Sequence, residues 1–433
     1  MTFSIKKQIK DISEKGKKEL YKKITIFVKN VFSFNFLINR FFFTLPAITL
    51  LIIIILFKLF INIRLGLIHR RLGHFVLNTE LYLLEKKFLE EKKYFDIWFA
   101  PKSIPNLQIY KMIKKKLLVI SFGYNVVKEI ENILELFSMN NNIIIGTNTQ
   151  KDRDVNNLLD TSSTQMSLSS KELKKGEKLL NEMGISVSKP IVCLLIRDNA
   201  YLEKIYPGDY DWSSQDFRDS DILSYYKVAQ YLADNGYQVL RMGKIVNEKF
   251  NLDHPLIFDY ANSNHRSDFM DVYLGYKCLF AISNSTGWDA IPVMFRKPIL
   301  FVNHVPIINI HTYSKKYIHI FKHHYDIKQK KYLNIKDLVS MGVHDIYETF
   351  YFKKNNIKLI ENTSDEILNA TKEMLDLISN DFKVKNDIIQ NSIWKQFPVN
   401  YINKYNNNRM HGKIKSRFSD YFILKNKYLI SND

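Results

Sequence analysis

Between residues 191 and 302 the sequence alternates short apolar runs with helical stretches, and that rhythm restricts the possible folds more than any other feature. Residues 191–196 are apolar without a break, as in a strand covered on both faces. Residues 221–235 read as a helix: Ser220 can cap its start, Gly236 can close its end, and Ile222, Tyr225, Tyr226, Ala229 and Leu232 share one face. Strands over 237–242 and 256–260 follow, then a helix over 268–277 capped by Ser267. A strand over 279–283, a helix over 288–295 and a strand over 298–302 complete the series. Strands and helices in this alternation predict a mainly parallel, doubly wound α/β sheet.

The region before it is less regular. A helix over 74–93, strands over 94–100, 117–122 and 142–145, and a helix over 171–183 ended by Gly184 predict a smaller, weakly patterned domain. The polar stretch 147–170 reads as a long surface loop. Boundaries are expected at 1–65 for a basic, hydrophobic membrane segment, 66–185 for a first domain, 186–385 for a second and 386–433 for a helical tail.

Residues 41–57 form an uncharged run of 17, close to the lower limit for spanning a bilayer and interrupted by Pro46. Lys6, Lys7, Lys10, Lys15, Lys17, Lys18, Lys22, Lys23 and Lys29 precede it, and Arg64, Arg70 and Arg71 follow. A single span would place one basic flank outside the cytoplasm. A re-entrant element, entering over 31–44, broken at Pro46 and returning over 47–63, avoids this; an ordinary signal anchor is the alternative. Membrane association through 31–63 is expected, at the bacterial inner membrane with the catalytic part on the cytoplasmic side.

The 433 residues are 46% hydrophobic, which excludes a disordered chain. The net charge of +19 suits anionic lipid or phosphorylated substrates, but lysines scattered among Ile and Asn indicate no nucleic-acid partner. Cys193 and Cys278 lie in apolar runs and read as core residues, not as a disulfide or a metal site. Walker A, HExxH, GxSxG and GxGxxG patterns do not occur.

In an open parallel sheet, ligands gather beyond the carboxyl ends of the strands. Three polar clusters fall there: Arg197-Asp198, Arg241-Met242-Gly243-Lys244, and Ser283-Asn284-Ser285-Thr286-Gly287. Arg197 offers a charged fork suited to a pyrophosphate, or a salt bridge to Asp198 or Asp221. The serine-rich loop opens a helix whose N–H groups and hydroxyls can meet phosphate oxygens, with Gly287 allowing close approach; a plain capping loop would read the same. Arg266, Asp268 and Asp271 sit at the next helix start. Asp209-Tyr210-Asp211 has Asp-x-Asp spacing but lies in a loop where such spacing arises by chance, so no metal is assigned. His304, His311, His319, His323 and His324 crowd a basic stretch that fits no zinc pattern and reads as a solvated loop, or as a flexible one beside the cleft.

Taken in order, Ile196-Arg197-Asp198, Phe217-Arg218-Asp219-Ser220-Asp221, Arg241-Met242-Gly243, Asp259-Tyr260-Ala261, Arg266 to Asp271 and Ser283 to Gly287 resemble a family of predicted bacterial glycosyltransferases linked to surface-polysaccharide synthesis. The likeness covers residues 190–303, and residues 413–429 are similar to that family's basic, aromatic end. More distantly, the arginine and serine-rich loop resemble fucosyltransferase-type donor domains, whose H-x-R motif has Leu195 at its histidine position here. The resemblance implies a GT-B-like pair of Rossmann-like domains, a nucleotide-sugar donor, a glycan or lipid-linked acceptor, no metal and no cofactor. On that reading Arg197 and Arg218 are expected to offset the charge of the leaving diphosphate, and Asp198 is the expected base. Donor contacts would come from Arg241, Gly243, Lys244, Arg266, Asp268, Ser283, Ser285, Thr286 and Gly287. A non-catalytic nucleotide- or glycan-binding accessory protein and a membrane-surface scaffold are the competing readings.

Overall fold

The computed structural model describes residues 34–58, 60–88, 94–137, 143–145, 153–205, 211–379, 387–397 and 413–430, with side chains from residue 41 onward. The lysines before residue 30, Asp209 and Tyr210 lie outside the described residues. The chain divides into two compact units that interleave in sequence: 1–69, 91–104 and 117–148 form one, and 70–90, 105–116 and 149–433 the other. The sequence reading instead cuts the chain linearly at 65, 185 and 385.

The first unit holds a parallel sheet in the order β3-β2-β1-β4, from β1 Ile63–Leu67, β2 Phe95–Phe99, β3 Val119–Ile120 and β4 Ile144–Ile145. Gly66 is required by packing, since a methyl there would stand 2.4 Å from the Trp98 ring. Leu65 and Leu67 join a core with Val127, Ile130 and Leu134 of the helix Tyr124–Leu136, and with Ala47, Leu51 and Ile54 of the helix Phe34–Phe57. That last helix runs through Pro46, so the expected break does not occur. Among the described residues no helix is long and apolar enough to cross a membrane. The apolar run of 17 residues is about 25 Å of helix, short of a hydrocarbon core of about 30 Å.

The second unit is built on a seven-stranded parallel sheet, ordered β14-β10-β9-β8-β5-β6-β7. Its strands are β5 Ile191–Leu195, β6 Gln238–Met242, β7 Ile257–Phe258, β8 Phe280–Ser283, β9 Ile299–His304, β10 Tyr317–Phe321 and β14 Arg417–Phe418. A small antiparallel sheet of β11 His323–Asp326, β12 Lys331–Tyr332 and β13 Ile357–Ile360 flanks it. All of β5, β6, β8 and β9 is buried; β5 is apolar throughout, as a strand covered on both faces should be, whereas β6 carries Gln238 and Arg241 and β9 ends in Asn303 and His304.

Local signals mostly act as expected. Ser267 caps Asp268–Lys277, and Gly184 and Gly236 close their helices at φ 73° and 85°. Ser220 does not cap. Asp221 accepts the Leu223 N–H to start a 3-10 turn, Ile222–Tyr225, ahead of the helix Tyr226–Asp234. The histidines are corrected too: His304, His319 and His324 are at most 1% exposed and His311 and His323 at most 9%, most of them on β9, β10 and β11. Phe301 stacks between the His311 and His319 rings, each centroid 4.9 Å away. Burial lowers the affinity of those rings for a proton, to about 4 at His311 and about 3 at His319, so they serve as neutral aromatic core.

Candidate functional site

Strand order makes the site. The chain enters the sheet at β5, steps outward to β6 and β7, and returns to place β8 on the other side of β5. The crevice of such a sheet opens where these two directions diverge. Leu195 pairs with Ser283 and with Met242, so Arg197, Gly243 and Asn284 emerge along one rim.

Asn284 ties that rim together. Only 2% exposed, it accepts the Arg197 N–H at 3.1 Å and donates to the Arg218 carbonyl at 3.3 Å and the Ser220 hydroxyl at 3.1 Å. Ser220 also receives a hydrogen bond from Asn303. Arg218 donates to the Ser285 carbonyl at 2.6 Å, a bond made possible by the left-handed conformation of Ser285, φ 61°. The switch point is thus braced by side-chain amides in an otherwise buried setting.

Two guanidinium groups at this rim are close enough to act on each other through their charges. Arg197 is ion-paired with Asp219, not with Asp198 or Asp221, and donates to the Gln215 carbonyl at 3.0 Å. Its Nη2 and the Nε of Arg218 are buried and have no hydrogen-bond partner. Burial, then the charges of Arg197 and Arg71, push Arg218 down to about 10. Burial pushes the Asp219 carboxyl up to about 6 against the pull of Arg197. Lys322, 4% exposed, donates to the Asp219 carbonyl and so adds a further cation.

The serine-rich loop is largely self-satisfied. Its Ser285 N–H donates to the Ser283 hydroxyl at 3.2 Å, and its Thr286 N–H to Asp289 at 2.9 Å. The helix beyond it is short, a 3-10 turn Gly287–Asp289 followed by Ala290–Met294. Close approach at Gly287 is used by the protein itself: a methyl there would stand 3.1 Å from the Gly73 nitrogen, at the start of the helix Leu72–Phe88.

The other expected donor residues form an ion-pair network. Arg241 is 1% exposed inside β6 and pairs with Asp259 at 3.4 Å, with Asp198 at 4.0 Å. Asp198 accepts the Ala200 and Asn247 N–H groups, one on each oxygen. Gly243 lies against Val246, whose Cγ1 would stand 2.5 Å from a methyl. Arg266 bridges Asp268 at 2.9 Å and Asp271 at 2.5 Å, while Lys244 lies 3.7 Å from Asp268 and donates to the Pro105 carbonyl. Asp271 also accepts from Tyr260 at 2.9 Å. The Arg197–Arg218–Ser285 group therefore stands together, and the Arg241 and Arg266 clusters are separately paired. A cavity of about 190 Å³ lies apart from all of them, lined by Asp160, Arg296, Tyr313, Lys316 and Tyr317 among others.

Sequence reasoning passed over Asn284, Asp219 and Lys322 as individuals. Asp219 had a signal, the charge pattern Arg-Asp-Ser-Asp; Asn284 had none beyond its place between two serines.

No protein-family model matches the chain. No curated protein matches it either. Similar solved structures include the E. coli ADP-heptose lipopolysaccharide heptosyltransferase II, at 14% identity and TM-score 0.40, covering 74% of this chain and 100% of that one. A glycosyl transferase family 9 protein from Veillonella parvula has 9% identity and TM-score 0.42, covering 72% and 97%. E. coli heptosyltransferase WaaC, solved with ADP-2-deoxy-2-fluoro heptose, has 11% identity and TM-score 0.34, covering 60% and 92%.

Proposed function

We propose that this protein is a glycosyltransferase that takes a sugar from a nucleotide-sugar donor. The observation carrying the proposal is the Arg197–Arg218 pair at the switch point of the second unit's sheet, with buried, unpartnered N–H groups on both guanidiniums. Holding two such cations together lowers the stability of the empty site and favours an anion that unites them. A diphosphate leaving group supplies that anion, and its charge grows as the sugar bond breaks. Arg197 and Arg218 then stabilise the departing nucleotide, with Ser285 fixing the Arg218 fork.

Asp198 is the proposed base for the acceptor hydroxyl, and the Arg241, Lys244, Arg266 and Asp268 network, with Gly243, frames the donor. Ser283, Thr286 and Gly287 hold the loop that carries Ser285. The order of motifs over 190–303 supports a surface-polysaccharide or lipid-linked glycan acceptor, and a GT-B-like, metal-independent mechanism. Work on such an acceptor would take place at the cytoplasmic side of a bacterial inner membrane.

A second reading, a nucleotide-binding accessory protein without turnover, is favoured by one detail: both Asp198 oxygens already accept backbone N–H groups. Thermal-shift screening against UDP-, GDP-, CMP- and ADP-sugars, followed by a nucleotide-release assay with the donor that binds, separates the two. R218A and R197A should each reduce binding and turnover at least about a hundredfold, in line with loss of a charged hydrogen-bond donor to phosphate. Full donor binding by R218A would reject the proposal.

A further inference from the structure

The helix Phe34–Phe57 has a property that the fold itself does not use. Its stripe of Ala47, Leu51 and Ile54 packs into the first unit's core at 0%, 8% and 3% exposure. Its other face is equally apolar yet open: Phe41, Ile52 and Leu56 are 66%, 52% and 64% exposed, and Phe60 just beyond is 82% exposed. A helix apolar on every side belongs in an apolar surrounding, and the described residues provide one on a single side.

Two observations identify what covers the rest. In sequence the helix is preceded by nine lysines between residues 6 and 29 against Asp11, Glu14 and Glu19, and is followed by Lys58, which is exposed. An apolar face with a strongly basic flank complements an anionic bilayer surface, which attracts Lys and Arg side chains. The mode of contact follows from the helix's partner. Thr44 donates to Glu129 of the helix Tyr124–Leu136 at 3.1 Å, and Lys128 pairs with Glu131 on that same helix. Charges fixed beside residue 44 cannot enter a hydrocarbon core without great cost, so the helix cannot run through the bilayer while it stays packed.

We infer that the first unit docks on an anionic lipid surface by laying the open face of this helix in the plane of the interface, with Phe41, Ile52, Leu56 and Phe60 inserted. The inference rests on the membrane location proposed above and specifies its geometry. Docking of this kind buries apolar side chains to a depth of about 5–10 Å and is reinforced by the basic flank.

Flotation of the full chain with vesicles of equal parts phosphatidylcholine and phosphatidylglycerol tests it, with no nucleotide sugar present. Wild type should float, and less so at high salt. I52E/L56E alters only exposed positions and should cut the bound fraction at least about tenfold, with an unchanged melting temperature. An I48C variant labelled with a fluorophore, Cys193 and Cys278 being buried, should be quenched by lipids brominated near the headgroup. Quenching by bromines at the bilayer centre instead would overturn the in-plane geometry, as would equal flotation of wild type and I52E/L56E, while membrane association stood. Failure of wild type to float would remove that association as well. A stable dimer that ignores vesicles and is split by I52E/L56E would assign the face to a second copy and overturn the inference.

Discussion

Arg218 donates to the carbonyl of Ser285 at 2.6 Å, and this bond aims a guanidinium at the rim between β5 and β8. Ser285 can present that carbonyl because it holds φ at 61°, an unfavourable value for a residue with a Cβ. The arrangement keeps Arg218 close to Arg197 and Arg71, which together with burial lower its proton affinity. Like charges are placed together only where something else compensates: at this rim Asp219 is ion-paired with Arg197, while Asp289 and Asp219 act through space on Arg218.

Asp219 therefore predicts a pH dependence. Its folded-state value of about 6 lies above the usual 3.8, so its contribution to stability is present below about 4 and is lost as pH rises through 6. For ligand binding the direction is the same: protonation removes the counter-charge on Arg197 and frees it for an anion. Donor affinity, measured by calorimetry, should rise about three- to tenfold from pH 7 to pH 5. D219N should bind more tightly at pH 7 and show no such slope.

Asn284 is a positioning residue. N284A strips the Arg197 N–H and the Arg218 carbonyl of their partner. It should cost about 1–3 kcal/mol in urea unfolding, the penalty for unsatisfied buried groups. Donor KM should rise while the melting transition stays cooperative. N284D should restore the Arg197 bond but not the donation to the Arg218 carbonyl, and so recover part of the loss.

Two glycines should differ in severity. In G287A the new methyl meets the Gly73 nitrogen at 3.1 Å, and a small shift of the helix start relieves it, costing about 1–2 kcal/mol. In G176A the methyl would stand 2.1 Å from the ring of Tyr273, itself 1% exposed, with no room to retreat. That variant should lose about 3 kcal/mol or more, read as a melting temperature lower by several degrees than that of G287A.

Glu366 should shape acid stability. Burial pushes its carboxyl up, but hydrogen bonds and charge from His323, with Asn426 and the Thr363 N–H, outweigh this and hold it at about 2. Its contribution is complete above about 4.5 and disappears as pH falls towards 2. E366Q should flatten the acid limb of the stability curve between those values, followed by circular dichroism.

Much of the fold was legible from local pattern. The helix at Asp268–Lys277 begins and ends where its Ser267 cap and apolar spacing place it, and β5, β6 and β8 lie within a residue of their expected bounds. The histidine stretch misled because His, Lys and Tyr at alternate positions look solvated until β10 is seen inside a seven-stranded sheet. Ser220 misled for a related reason, since a hydroxyl that suits a cap suits Asn284 and Asn303 equally well.

By itself the sequence determined the alternation of strands and helices and the apolar character of the helix at residues 41–57. Those depend on spacing along the chain, which local physics reads directly. Only the tertiary structure decided that β8 lies beside β5, that Arg197 pairs with Asp219, and that Gly287 lies against Gly73. Such contacts join residues far apart in sequence, and their partners are chosen by the competition among many donors and acceptors for the same few buried places.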